Sequence, residues 1–188
     1  MTEALQKNAS REEKKDQVYW TILNAALVLD FRKGHQKWTL SELSRTTGVT
    51  RSLIYYYFGK DRMSILQEAI RFIGEEFFGL TPKRLQLWKD GKIATAVLIT
   101  RAAIEQTPAL GAFYLAHRFR PTELGESFRK LENQYVKKLS GFFPKLGPDQ
   151  IRALYGLMFG LVFAPNLTEA AIDEAVRVAM LVGKRKSA

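Results

Sequence analysis

Cysteine is absent from this chain of 188 residues, and only two histidines occur in it. Without thiols the chain forms no disulfide and carries no thiolate nucleophile. Two histidines do not supply a metal-ligand cluster of usable spacing. A phosphate-cradling glycine loop and a nucleophile motif are also missing from the sequence. These absences argue against an enzyme, and they predict that the protein uses neither a metal nor another cofactor.

Long apolar runs are also lacking. The longest uncharged apolar run, residues 153–164, is too short to span a bilayer. The N-terminal residues are polar and charged, which does not fit a signal peptide. The absence of cysteine suits a reducing cytosol. We therefore expect a cytoplasmic protein that does not use a membrane as a partner.

Acidic residues are scarce relative to basic ones. The chain has 29 Lys and Arg against 19 Asp and Glu, which gives a formal net charge of +10 and a pI near 9.8. Such an excess favours anionic partners, with nucleic acid or an anionic membrane first, although many basic proteins bind neither. The hydrophobic content of 46% and the length allow one or two domains with a sizeable core.

Apolar residues recur at helical spacing, and no alternating strand pattern is visible. The sequence therefore predicts an all-α fold of about nine helices. Residues 1–10 are predicted to be a disordered basic arm, which either reaches DNA or simply precedes a solvated helix start. The first helix is expected to end at Gly34, with its apolar stripe formed by Val18, Ile22, Ala25, Ala26 and Leu29.

Residues 38–61 predict two short helices joined by a tight turn. Thr39 and Glu42 have the spacing of a capping box, which marks the start of the first helix. Gly48 is placed to end that helix, since glycine tolerates the positive φ of the position after a helix. Thr50 is placed to cap the second helix. This arrangement is typical of a helix-turn-helix.

The second of these helices has two unlike faces. Ile54 and Phe58 lie four residues apart and predict a buried face. The opposite face suits a helix lying in the DNA major groove, where its first residues meet base edges and phosphates. The side chains predicted on that outer face are Arg51, Ser52, Tyr55 and Tyr56.

Residues 22–61 resemble the DNA-binding domain of the tetracycline-repressor (TetR) family. The shared pattern is an alanine-rich helix, a Lys-Gly turn, a capped second helix, a Gly-Val-Thr turn, and a recognition helix rich in Tyr that ends in Phe before a Lys-Asp step. The matching residues are Ala25-Ala26, Lys33-Gly34, Thr39-Leu40, Gly48-Val49-Thr50, Ile54-Tyr55-Tyr56-Tyr57-Phe58 and Lys60-Asp61. The motif covers about the first third of the chain.

The resemblance implies a set of DNA contacts. Arg51, Ser52 and Tyr55 match positions that contact base edges, and Ser41 matches a position that sometimes reads a base from the second helix. Arginine can donate a bidentate pair to guanine O6 and N7, while hydroxyl groups and helix N-termini suit phosphate oxygens. The positions that match phosphate contacts are Thr39, Thr50, Tyr56 and Lys60.

Two positions depart from the family pattern. Asp30 stands where the family usually buries an aromatic residue, so it either finds a partner, sits on a rotated helix end, or is solvated at a frayed end; we favour the solvated position. Only Gly59 separates Phe58 from the next lysine, whereas the family usually has two residues there. Either Lys60 or Asp61 therefore occupies the phosphate-contacting position.

The penultimate helix carries the spacing Gly156-x-x-x-Gly160 in an almost entirely apolar sequence. Small residues at this spacing let two helices approach closely, and a helix apolar all round must be buried somewhere. It could be buried within one chain. The resemblance instead implies that the last two helices form a four-helix bundle with a second copy. The predicted interface residues are Gly156, Gly160, Leu161, Ala164, Ala175 and Val178.

The middle of the chain combines aromatic and polar side chains, as a small-molecule pocket between helices would. Ordinary core packing explains each of them equally well. Arg101 and His117 would favour an anionic or hydrogen-bonding ligand. The predicted pocket residues are Trp88, Arg101, Phe113, Tyr114 and His117.

The resemblance implies a homodimeric transcriptional repressor that binds a palindromic operator in double-stranded DNA. Residues 11–61 would form its DNA-binding domain, and residues 62–188 its regulatory domain for ligand binding and dimerisation. A small-molecule effector would shift the helix that begins near Arg62 and release the operator. The alternative is a helical module that binds a ligand or partner, with a vestigial DNA-binding part or an activator role.

Overall fold

The structure, a computed structural model, describes the backbone of residues 2–184 and the side chains of residues 15–179. Over this range the chain is helical, and no strand occurs, which confirms the predicted all-α class. None of these helices is long and apolar enough to cross a bilayer. The α-helices are α1 Thr2–Lys33, α2 Leu40–Thr47, α3 Arg51–Phe58, α4 Arg62–Phe72, α5 Pro82–Lys89, α6 Ile93–Gln106, α7 Pro108–His117, α8 Glu123–Phe142, α9 Pro148–Phe163 and α10 Glu169–Lys184.

The chain divides into two compact units. The first unit is Met1–Arg71 with Ala109–Ala116, and the second is Phe72–Pro108 with His117–Ala188. The first unit therefore extends past residue 61, where we expected the DNA-binding domain to end. The reason is that α4 buries Ile65, Leu66 and Ala69 in the core of that unit.

Helix α1 extends through the segment predicted to be a disordered arm, so that prediction is wrong for the backbone of residues 2–10. The segment is rich in Ala, Gln, Lys and Glu, which are good helix formers, and it has no glycine or proline before Gly34. The side chains of this segment lie outside the described residues, and its contact with DNA stays a prediction.

The buried stripe of α1 is rotated relative to the predicted one. The expected stripe included Ala25 and Leu29, which are only half-buried. The observed stripe recurs at spacings of three and four residues, as a helix face should. The fully buried residues of this face are Ile22, Leu23, Ala26, Leu27 and Asp30.

Helix α5 is a short helix of eight residues. Its N-terminus has two start signals. The Thr81 hydroxyl accepts a hydrogen bond from the backbone N–H of Arg84, and Pro82 lies in the first turn.

Helix α4 is followed by a helical segment of a different type. It ends at Phe72 and continues directly as a π-helical segment, Ile73–Phe77. The backbone N–H of Phe78 donates to the carbonyl of Ile73 at 3.1 Å, which is the five-residue spacing of a π-helix. Single π-helical turns within helices are frequent at functional sites.

The core of the second unit is built by one face each of α5, α6, α8, α9 and α10. The largest contribution comes from α9, whose buried residues recur at helical spacing. The buried residues of this core are Trp88, Ile93, Ala96, Val97, Leu139, Ile151, Leu154, Met158, Leu161, Ile172 and Val176.

Gly125, in the first turn of α8, is packed too closely for any side chain. A Cβ atom there would lie 2.1 Å from the carbonyl oxygen of Arg120 and 2.9 Å from that of His117. The approach of the 117–120 turn to α8 therefore requires glycine at this position.

Candidate functional site

The caps predicted for the helix-turn-helix are present. The backbone N–H of Glu42 donates to Thr39 Oγ1 at 3.1 Å, and the Thr39 N–H donates to Glu42 Oε2 at 2.8 Å. Gly48 ends α2 with φ of 69°, and Thr50 Oγ1 accepts from the Leu53 N–H at 3.4 Å. Two orphan N–H groups of α2 are thus satisfied reciprocally, which fixes where the helix begins.

The turn between α2 and α3 is held by side-chain hydrogen bonds to the backbone. Ser44 Oγ donates to the Val49 carbonyl at 2.7 Å, and the Val49 N–H donates to Thr47 Oγ1 at 3.2 Å. An ion pair between Lys33 and Glu42 joins the end of α1 to the start of α2. The hydrogen bond from Lys33 is the main cause that lowers the pKa of Glu42. These contacts set the angle at which α3 leaves the turn.

Helix α3 buries one face and exposes the other. Ile54 is fully buried, and the Phe58 ring stacks on Tyr19 with centroids 5.0 Å apart. On the opposite face Tyr56 is 75% exposed, which is unusual for so large an aromatic side chain. Arg51 is exposed at the N-terminus of the same helix. The helix therefore presents a basic and hydroxyl-rich surface to solvent.

Most of the residues predicted to contact DNA are exposed, as such a contact requires, and their contacts with DNA remain predictions. Among them only Tyr55 is half-buried. Lys60 and Asp61 are both exposed after Gly59, so exposure does not decide which of them takes the phosphate-contacting position. The exposed members of the set are Thr39, Ser41, Thr50, Arg51, Ser52, Tyr56 and Lys60.

Asp30 is buried, which corrects the interpretation that it is solvated. Only 1% of it is exposed. Its Oδ1 accepts hydrogen bonds from Trp38 Nε1 at 2.9 Å and from the Gln36 N–H at 2.8 Å, and Oδ2 lies 3.3 Å from His35 Nδ1. A buried carboxylate needs such donors to offset its lost hydration. The polar partner replaces the aromatic packing expected at this place.

The start of α4 is tied to the turn that precedes α2. Arg62 Nη1 donates to the carbonyl of Gln36 at 2.5 Å and to that of Trp38 at 2.6 Å. Gln36 has a positive φ of 57°, which turns its carbonyl out of the usual direction. A lone arginine at a helix start gave no signal of this role in the sequence. It links α4 to the same turn that Asp30 organises.

The residues predicted to line a small-molecule pocket are divided between the two units. Phe113 and Tyr114 are fully buried in the first unit, because α7 contributes residues 109–116 to it. Trp88, Arg101 and His117 belong to the second unit. The structure therefore does not gather the five residues within one unit.

Arg101 has hydrogen-bond partners within the second unit. Its Nη1 donates to the carbonyls of Leu161 and Ala164, each at 2.8 Å, at the C-terminal end of α9. A cation at this place satisfies orphan carbonyls and complements the helix dipole. These bonds use one nitrogen of Arg101, and its role as a ligand-binding group stays a prediction.

Arg84, which the sequence analysis did not single out, is the buried cation of the second unit and is 6% exposed. Its Nη2 donates to the carbonyl of Glu76 at 2.9 Å and to the hydroxyl of Thr100. Nε and Nη1 have no hydrogen-bond partner within residues 15–179. Nη1 lies 3.9 Å from Glu76 Oε2, too far for a hydrogen bond. Burial lowers the pKa of Arg84.

Aromatic side chains of the second unit meet at Tyr135. The Tyr135 ring lies 5.6 Å from Phe78, 6.2 Å from Trp88 and 6.1 Å from Tyr155, measured between centroids. Burial raises the pKa of Tyr135, and the charge of Arg84 opposes that shift. The spacing of apolar residues in the sequence gives no signal of this aromatic cluster.

One face of α9 is left open by the second unit. A Cβ atom at Gly156 or Gly160 would meet nothing within 4 Å. Leu157 and Val178 are 37% and 47% exposed. Leu161 differs from the prediction, since it lies on the opposite face of α9 and packs in the core. Ala164 and Ala175 are half-buried.

Together, these features define an all-helical protein with a capped helix-turn-helix in its first unit. No family model and no curated protein matches the chain. One solved structure that is similar is NalD, the secondary repressor of the MexAB-OprM multidrug efflux pump in Pseudomonas aeruginosa. The two chains are 18% identical with a TM-score of 0.50, over 91% of this chain and 96% of NalD. NalD is a TetR-family repressor, so the predicted resemblance is confirmed at the level of the fold.

Proposed function

We propose that this protein is a sequence-specific DNA-binding transcriptional regulator that acts as a homodimeric repressor. The observation that carries the proposal is the two-faced α3, which buries Ile54 and Phe58 and exposes Arg51, Ser52 and Tyr56. The similar fold of NalD, itself a repressor, supports the same class of function.

The exposed N-terminus of α3 is suited to the major groove. A helix in this groove contacts bases with its first residues, where Arg51 and Ser52 lie. Arg51 would donate two hydrogen bonds to one guanine, and the hydroxyl groups of Thr39 and Thr50 would lie at helix N-termini, which favour phosphate oxygens. The net charge of +10 adds long-range attraction to DNA.

The open face of α9 supports dimerisation. Gly156 and Gly160 allow the backbone of a second helix to come close, and the neighbouring Leu157 is an exposed apolar residue on the same helix. A two-fold dimer built on this face would place two α3 helices on the half-sites of a palindromic operator.

Release of the operator would follow from a small molecule bound in the second unit. The second unit joins α4 through the π-helical segment Ile73–Phe77, so a change in that segment reaches α4 along the chain. The ligand would lower DNA affinity only if it binds more tightly to the conformation that does not fit the operator.

Selection of binding sites from random duplex DNA tests the proposal, followed by fluorescence anisotropy over a range of salt concentrations. We expect a palindromic site whose affinity falls steeply with salt, because bound phosphates release counterions. Weak binding without sequence preference would instead support the alternative, a helical partner-binding module with a vestigial DNA-binding part.

A further inference from the structure

One side chain joins the two ends of the segment that forms the helix-turn-helix. Arg62 is the first residue of α4, and its Nη1 donates to the carbonyl of Gln36 at 2.5 Å and to that of Trp38 at 2.6 Å. Trp38 precedes α2 and Arg62 follows α3, so both helices lie within one loop of the chain that these hydrogen bonds close. Hydrogen bonds from a charged donor are stronger than neutral ones. Arg62 therefore fixes the distance between the start and the end of this loop.

The turn that Arg62 contacts is also bound by α1. Asp30 Oδ1 accepts from the backbone N–H of Gln36 at 2.8 Å and from Trp38 Nε1 at 2.9 Å. Gln36 and Trp38 thus donate to α1 and accept from α4. Gln36 has a φ of 57°, which is unfavourable for a residue other than glycine and persists only where the surrounding contacts require it. Asp30 and Arg62 together hold this strained turn directly before Thr39, the cap of α2.

Hydrophobic packing alone gives α2 little orientation. The helix has eight residues, and Leu43 is the one among them that is buried. A helix this short is not stable by itself, so contacts with the rest of the unit set its position. A single buried side chain permits the helix to rotate about it, whereas polar contacts at the helix start restrict that rotation. These contacts are the ion pair of Lys33 with Glu42 and the turn that Asp30 and Arg62 hold.

We propose that Arg62 is a positioning residue for DNA recognition, which places the N-terminus of α2 relative to α3 without contacting DNA itself. The inference rests on the proposed function, in which Thr39 and Ser41 at the start of α2 and Arg51 at the start of α3 contact the same operator half-site. Contacts from two helices to one half-site require both helices to be placed correctly at the same time. Loss of the Arg62 hydrogen bonds would release the turn before α2, while α3 keeps its buried face.

Fluorescence anisotropy of the full chain with the selected operator, and with a random duplex of the same length, tests this role. Arg62→Met removes the donor and the charge but keeps an unbranched side chain that suits a helix. Arg71→Met is the matched control, because it removes the same charge from the same helix, and the partner of Arg71 is Glu68 at 2.6 Å. We expect Arg62→Met to weaken operator binding by about tenfold or more, as the loss of one base contact does, and to bind the random duplex as Arg71→Met does. Equal operator affinity of the two variants overturns the proposal.

The salt dependence of binding separates positioning from a direct phosphate contact. A cation that binds phosphate displaces counterions, so its removal reduces the slope of log affinity against log salt by about 1 and weakens binding to every sequence. A positioning residue acts through neutral hydroxyl and N–H groups of α2, and we expect the slopes of Arg62→Met and Arg71→Met to be equal. A slope reduced by about 1 in Arg62→Met alone, with equally weakened binding to the random duplex, overturns the proposal in favour of a direct contact.

Arg62→Lys is the milder variant if Arg62→Met does not fold. Lysine keeps the charge, but its nitrogen lies one bond closer to the backbone than Nη1 of arginine, so it does not reach both carbonyls without movement of α4. We expect Arg62→Lys to bind the operator several-fold more weakly than wild type, with an unchanged salt slope. Wild-type operator affinity in Arg62→Lys overturns the proposal, because it shows that the charge alone suffices.

The failure of this inference is distinguishable from that of the proposed function. Wild type that selects no DNA sequence refutes the proposed function, and this inference with it. Wild type that selects an operator and loses no affinity on substitution of Arg62 refutes the positioning role alone. Operator affinity that falls in Arg62→Met at an unchanged salt slope, with Arg71→Met near wild type, supports both.

Discussion

The buried carboxylate of Asp30 makes a quantitative prediction for the stability of the first unit. Asp30→Ala removes the acceptor of the Trp38 indole N–H and of the Gln36 backbone N–H. Both donors lose their partner in a buried place, and each unsatisfied group costs about 1–3 kcal/mol. The free energy of unfolding should therefore fall by about 2–6 kcal/mol, which is a large part of the stability of a small unit.

Asp30→Asn separates hydrogen bonding from charge. Both main hydrogen bonds end on Oδ1, and an asparagine carbonyl at that place would still accept them. The variant loses the acceptor that faces His35, so we expect a loss of only about 1 kcal/mol. The predicted order of stability is wild type, then Asp30→Asn, then Asp30→Ala.

Urea unfolding followed by tryptophan fluorescence measures these differences, since Trp38 itself is part of the network. Asp16→Ala is the matched control: Asp16 lies on the same helix, is exposed, and should change stability by less than about 0.5 kcal/mol. If Asp30→Ala is as stable as Asp16→Ala, the carboxylate does not stabilise the turn and the reasoning is refuted.

Three other substitutions test separate parts of the structure. Gly125→Ala should lower the free energy of unfolding by about 1–3 kcal/mol, because the added Cβ atom clashes with the backbone. The control Gly141→Ala, whose Cβ atom would meet nothing within 4 Å, should raise the free energy of unfolding by about 0.5–1 kcal/mol. Equal shifts of the two urea midpoints would contradict this prediction. Gly160→Leu should convert a dimer to a monomer in sedimentation, while Gly141→Leu should not; a monomeric wild type would refute the interface. The hydrogen bond from Arg71 lowers the pKa of Glu68 from its usual value of 4.5. Ionised Glu68 therefore stabilises the fold above about pH 4.5, and this contribution is lost as the pH falls through the pKa of Glu68 in the folded protein. Glu68→Gln should therefore lose less stability than wild type between about pH 7 and pH 3.5, and identical losses would exclude this role.

The helix-turn-helix could be predicted because its signals are local. Thr39 and Glu42 satisfy each other within three residues, and Gly48 and Thr50 act on their own helix ends. Such signals do not depend on the rest of the fold. The same is true of the exposed Tyr56, which follows from the helical period once Ile54 is placed inside.

Neither the choice of the buried face of α1 nor the burial of Asp30 could be predicted in this way. Both stripes recur at helical spacing, and the observed one is rotated by one position so that it ends on Asp30. The choice depends on the partners of Asp30, among them Trp38, which lies beyond the end of the helix. Burial of a carboxylate in the core is tolerated when a donor such as the indole N–H binds it, and it is costly when no donor is present.

The roles of the arginines in the second unit depend on contacts that are distant in the chain. The partners of Arg101 are carbonyls at Leu161 and Ala164, about sixty residues away. Arg84 becomes buried because Glu76 and Thr100 surround it. Helical periodicity predicts a face, and it does not predict which helix end or carbonyl that face meets.

The central claim is that the exposed N-terminus of α3 reads DNA sequence, and one measurement tests it most directly. Fluorescence anisotropy at fixed salt compares wild type, Arg51→Ala and Lys138→Ala on the selected operator. Lys138→Ala removes one exposed positive charge from the second unit and is the charge control. We predict that Arg51→Ala weakens operator binding by about 1–3 kcal/mol and relaxes preference at one position per half-site, while Lys138→Ala stays near wild type. Equal operator affinity for Arg51→Ala and wild type would contradict the claim.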